Sequence, residues 1–88
     1  MSGLDGAETL VAGWRERAAG RPILLDLFCG GGGCSRGYQQ AGFWVAGVDH
    51  LPQKRYCGDA FVQADALAAA ERLAPLVDAV HASPPCQA

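Results

Sequence analysis

Cys86 stands behind two prolines in the stretch Ala82-Ser83-Pro84-Pro85-Cys86-Gln87-Ala88. A cysteine thiolate is a nucleophile, and prolines stiffen the loop that would hold its sulfur in place. A lone cysteine is usually inert packing, so its meaning depends on what the fold puts beside it. Earlier in the chain, Asp26 interrupts an apolar run and four glycines, Gly30 to Gly33, follow it. Glycines let backbone approach a ligand closely, and a helix after them offers unpaired N–H groups and a positive dipole end. Asp49 closes a second apolar run, where a carboxylate can accept from ribose hydroxyls. Asp65 closes a third, where it can accept from an adenine amino group. Plainer roles compete at each place: a turn at the glycines, a strand-end turn at Asp49, a helix N-cap at Asp65.

The elements that would position these residues follow from apolar periodicity. Leu10, Val11, Trp14 and Ala18 share one side of a helix over residues 7–18, which Gly20-Arg21-Pro22 ends. Strands are expected at 23–28, 43–48, 61–64 and 77–82, and helices at 34–41 and 66–74. Gly42 and Pro75 stop the two helices, and residues 50–60 form a polar crossover with about one turn of helix. Strands alternating with helices predict an α/β fold with a parallel sheet of about four strands and right-handed crossovers. If the chain reverses direction across the sheet after the third strand, the fourth lies beside the first. The Cys86 loop then sits next to the glycine loop, at the switch point where open α/β sheets bind ligands.

The 88 residues suit one small domain or a piece of a larger one, and half of them are hydrophobic, enough for a modest core. A net charge of -2 argues against a free-standing basic nucleic-acid clamp but leaves room for an enzyme whose basic surface lies elsewhere. The first residues lack the basic start and apolar core of a signal peptide, and no apolar run is long enough to span a membrane. The expectation is a cytoplasmic protein without membrane attachment. Cys29, Cys34, Cys57 and Cys86 contain no CxxC pair and read as free thiols, with no metal site. The glycine run lacks the Lys-Ser/Thr of a P-loop and the third glycine of a nicotinamide fingerprint.

The stretches "DLFCGGGGCS" and "SPPCQ", in this order and each after an apolar strand, resemble the first motif and the nucleophile loop of the cytosine-5 DNA methyltransferases. The resemblance covers residues 22–88. It implies a Rossmann-like fold that binds S-adenosylmethionine, of which this chain would be the N-terminal half. It implies that Cys86 is the nucleophile that adds to cytosine C6, so that C5 can take the methyl group of S-adenosylmethionine, with the base flipped out of DNA. Asp26, Phe28, Cys29, Gly30, Gly31, Gly32 and Gly33 would form the cofactor loop, with Phe28 against the adenine. Asp49 would hold the ribose hydroxyls, His50 would lie beside the adenine, and Asp65 would accept from its amino group. Pro85 would shape the nucleophile loop.

Three positions depart from the family pattern. Asp49 stands where many members have Glu, Gly31 where a larger residue is common, and Cys34 where an apolar or aromatic residue is common. The family's Glu-Asn-Val segment, its later arginine and its target-recognition domain have no counterpart in these residues. The expectation is therefore a helical segment, residues 1–21, ahead of a partial catalytic domain, residues 22–88. Such a piece should be inactive alone, weakly stable, and bare along its sheet edge. DNA would be contacted through further residues or through a complementing chain that carries recognition. A non-catalytic S-adenosylmethionine-binding module and an RNA methyltransferase are the alternatives.

Overall fold

Helix α1 spans Ala7–Ala18 and buries Val11, Trp14 and Ala18, one stripe at spacings of three and four residues. In the computed structural model, which describes residues 6–29 and 33–82, this helix leads into a strand–helix alternation. Strand β1 is Ile23–Leu27, α2 Gly33–Gln40, β2 Trp44–Asp49, β3 Ala60–Gln63, α3 Ala66–Leu73 and β4 Ala79–Ala82, with a 3-10 turn over Ala74–Leu76. The four strands form one all-parallel sheet in the order β3-β2-β1-β4. The fold is α/β, compatible with a Rossmann-like arrangement. The fourth strand lies beside the first, so the chain does reverse direction across the sheet after β3, the condition left open by the sequence.

Alternation along the strands separates two faces. Ile23, Leu25 and Leu27 of β1 and Trp44, Ala46 and Val48 of β2 point to one side. They pack with Val11, Trp14 and Ala18 of α1 and with Ala66, Ala69 and Leu73 of α3. Each large apolar side chain buried there contributes roughly 1.5–3 kcal/mol. Trp14 meets Trp44 with ring centroids 6.0 Å apart, and the Arg17 guanidinium lies over Trp44. The opposite face carries Leu24 and Asp26 beside Val45 and Gly47, and there α2 and the β2–β3 crossover supply the cover. Two carboxylates tie the starts of the central strands. Asp78 accepts from the Ile23 N–H and from Arg15, and Asp59 accepts from the Val45 N–H.

Several boundaries move for identifiable reasons. Phe28 takes a left-handed backbone, φ 61°, which ends β1 one residue sooner than the apolar run suggests. Phe43 donates its N–H to Tyr38 O at the close of α2, so β2 begins at Trp44 and extends to Asp49. Gly42 has φ 104° and ends α2 as expected of a glycine in that position. Gly33, expected in the loop, is the first residue of α2. Pro75 does not simply stop α3. It lies inside the 3-10 turn, whose closing bond from Val77 N–H to Ala74 O delays β4 to Ala79. The crossover holds turns and no helix among its described residues. Val80 on the edge strand β4 is 46% exposed. Among the described residues, no helix is long and apolar enough to cross a membrane.

Candidate functional site

The carboxyl ends of β1 and β2 bring Asp26, Cys29 and Asp49 within electrostatic reach of one another. The Cys29 N–H donates to Val48 O at 3.1 Å, which holds the residues after β1 against the end of β2. Cys29 is a free thiol. Burial pushes its pKa up to about 12, and the Asp26 and Asp49 carboxylates reinforce the shift by opposing a second negative charge. Both effects disfavour the thiolate form of Cys29.

Asp26 is 1% exposed. Its Oδ2 accepts from Ser35 Oγ at 2.6 Å, and Ser35 Oγ lies 2.6 Å from the Tyr56 hydroxyl. Its Oδ1 has no hydrogen-bond partner among the described residues. Unpaired buried acceptors are rare in folded proteins, and each costs roughly 1–3 kcal/mol. Asp49 closes β2 with its side chain only 12% exposed, and its Oδ1 accepts from the Leu51 N–H at 3.1 Å. His50 is turned outward, 69% exposed, with Nδ1 3.3 Å from Asp49 Oδ1. Phe28 is half-buried and packs against the hydrophobic cluster beneath the sheet.

Asp65 adopts the plainer of its two roles. Its extended backbone places it at the N-cap of α3, and Oδ2 accepts from the Ala68 N–H at 3.0 Å. It is exposed and two residues past the end of β3. Gly33 opens α2, while Gly30, Gly31, Gly32, Pro85 and Cys86 lie outside the described residues, as does the side chain of Cys34. Cys86 follows β4 in the chain, and β4 is the neighbour of β1.

Three side chains beside this crevice carry weight that their sequence context hardly signals. Tyr56 is an aromatic in a polar crossover, and burial raises the pKa of its hydroxyl. Tyr38 on α2 and His81 on β4 share a hydrogen bond of 2.7 Å, with the rings 5.1 Å apart. His81 is the register partner of Asp26 on the next strand, so this pair fastens α2 to β4, the strand that precedes Cys86 in the chain. The available signals were glycines at 47 and 58, which leave room for the Tyr56 ring, and alternation in β4, which sends His81 to the α2 side. No protein-family model, curated protein or solved structure matches the chain.

Proposed function

We propose that the protein binds S-adenosylmethionine at the carboxyl ends of β1 and β2 and serves methyl transfer to C5 of cytosine in DNA, with Cys86 as the nucleophile. One observation carries this reading. The two segments that resemble the family's motifs leave adjacent parallel strands, β1 and β4, at the switch point of the sheet. A cytoplasmic location follows from the same reading.

The residues present fit such a cofactor. The buried Asp26 carboxylate keeps one oxygen without a donor, and Asp49 offers a carboxylate at the strand end beside it. Asp49 would hold the ribose hydroxyls, and Asp65 has a second carboxylate oxygen beyond the one that caps α3. When bound, S-adenosylmethionine supplies a methyl group activated by its sulfonium. The Cys86 thiolate would add to cytosine C6, which raises electron density at C5 and makes that carbon the methyl acceptor, with the methyl–sulfur bond breaking and that sulfur keeping its electron pair as a neutral thioether. A base then takes the C5 proton, and the electron pair of that C–H bond expels the Cys86 sulfur. Cytosine must leave the duplex for this attack, so the base and DNA contacts fall to residues outside this crevice or to a complementing chain.

The test is calorimetric titration with S-adenosylmethionine, followed by transfer of labelled methyl to DNA in the assembly that supplies the base and DNA contacts. Cys86→Ser is expected to abolish transfer and to leave cofactor affinity unchanged. DNA carrying 5-fluorocytosine should trap a covalent adduct, because fluorine cannot leave C5 as a cation. Loss of cofactor binding in Cys86→Ser, with transfer restored at saturating cofactor, would overturn the nucleophile role. Binding without transfer to any nucleic acid would indicate a carrier module, and transfer to RNA alone a different substrate.

A further inference from the structure

The Tyr56 hydroxyl, Ser35 and Asp26 form a chain of two short hydrogen bonds whose direction can be derived. A serine hydroxyl has a single hydrogen. Ser35 donates it to Asp26 Oδ2, so in the second bond Tyr56 is the donor. The chain therefore runs from Tyr56 through Ser35 to Asp26. Ser35 is fully buried and Asp26 nearly so, which keeps water from competing for the inner bond.

Two glycines make this arrangement sterically available. A Cβ at Gly47 or at Gly58 would collide with the Tyr56 ring. Gly47 is the register partner of Asp26 on β2, so the ring lies over the strand directly beside the carboxylate. The ring also meets Phe61 of β3 at 5.6 Å between centroids. Tyr56 thus links the crossover between β2 and β3 to the first turns of α2 and to the middle strand.

We propose that Tyr56 is a positioning residue: acting through Ser35, it fixes the Asp26 carboxylate so that Oδ1 remains a preset acceptor for an N–H or ammonium donor of the ligand bound at this crevice. The inference rests on the S-adenosylmethionine reading above and adds a residue outside both motifs. The carboxylate plane is held because one oxygen is bonded to a donor that is itself held. Without Tyr56, Ser35 Oγ loses its donor and can rotate, and the Asp26 side chain is free to turn its second oxygen away. The ligand then meets an acceptor that must first be oriented.

Titration of the full protein with S-adenosylmethionine tests this. Tyr56→Phe keeps the ring over Gly47 and Gly58 and removes only the hydroxyl. It should weaken binding about tenfold, as should Ser35→Ala, and the double variant should lose no more than the larger single loss. In proton NMR, the buried Ser35 hydroxyl resonance should shift in Tyr56→Phe, and in the unaltered protein when the cofactor is added. A packing role alone would move neither the coupling nor that cofactor-dependent shift. Gly58→Ala keeps every hydroxyl but pushes the ring away, and should reproduce the loss, which covers the case that Tyr56→Phe fails to fold. Wild-type affinity in Tyr56→Phe or Gly58→Ala, or losses that simply add, overturns the positioning role and leaves the cofactor reading standing. If the unaltered protein does not bind S-adenosylmethionine, the cofactor reading fails and the positioning role falls with it.

Discussion

The Asp26→Asn substitution keeps the shape of the side chain and removes its charge. In the ligand-free protein, one Asp26 oxygen is bonded to Ser35 and the other has no partner among the described residues, at 1% residue exposure. An unpaired buried acceptor costs roughly 1–3 kcal/mol, and more when it belongs to a charged group. Asparagine retains the Ser35 bond through its carbonyl and places a neutral amide where Oδ1 was. A charged orphan is exchanged for a neutral one, with an expected gain of about 1 kcal/mol. For a chain of this size that raises the melting temperature by about 4–8 °C. Urea denaturation and thermal melts followed by circular dichroism read the change. The same substitution sets a donor where the ligand's donor would meet an acceptor, so affinity for S-adenosylmethionine should fall about tenfold or more. Higher stability with lower affinity is the pattern of a charge kept for binding. A loss of about 2 kcal/mol or more without ligand would refute the reasoning, because it would make the carboxylate a structural acceptor on both oxygens.

Cys29 should resist alkylation at pH 8. Burial and the neighbouring carboxylates hold it as a thiol until the pH nears about 12, so peptide mapping should find it unlabelled by iodoacetamide while the native fold persists. Fast labelling there would contradict the packing at the ends of β1 and β2. Because this pKa is raised by folding, its contribution to stability is complete below the ordinary thiol value of about 9 and fades as pH rises toward 12. Asp78 behaves in the opposite sense. The Arg15 guanidinium and the Ile23 N–H hold its carboxyl below the usual range, so its contribution is present above about pH 4 and is lost on further acidification. Asp78→Asn should flatten the acid side of a stability–pH curve. The effect should stay under about 1 kcal/mol, because the pair is more than two-fifths exposed. An unchanged acid limb would remove Asp78 from the account.

Much of the fold was legible because its causes are local. Ile23 to Leu27 read as a strand buried on both sides because five successive residues with four large apolar side chains can be hidden only in the middle of a covered sheet, and all five are buried. Val11, Trp14 and Ala18 read as a helix face from spacing alone. The placement of β4 beside β1 was legible only as one of the open possibilities, because the reversal after β3 is a property of the assembled sheet. Less legible was the end of β1. Phe28 continues the apolar run, yet its backbone turns left-handed and its ring packs with the core. Asp65 carried two readings on one side chain, and only the geometry at Ala68 N–H showed that it caps α3.

The sequence by itself determined the α/β alternation, the helix stripe of α1 and the positions of Asp26 and Asp49 on the first two strands. Each is written in residues a few positions apart, where periodicity and backbone preference act. Only the tertiary structure decided which groups complete the crevice. Ser35 meets Asp26 across 9 positions and Tyr56 across 21, and Tyr38 meets His81 across 43. Those meetings depend on strand register and on the space that Gly47 and Gly58 leave for one ring. No local pattern encodes that space, because a glycine acquires its meaning from the side chain that comes to lie against it.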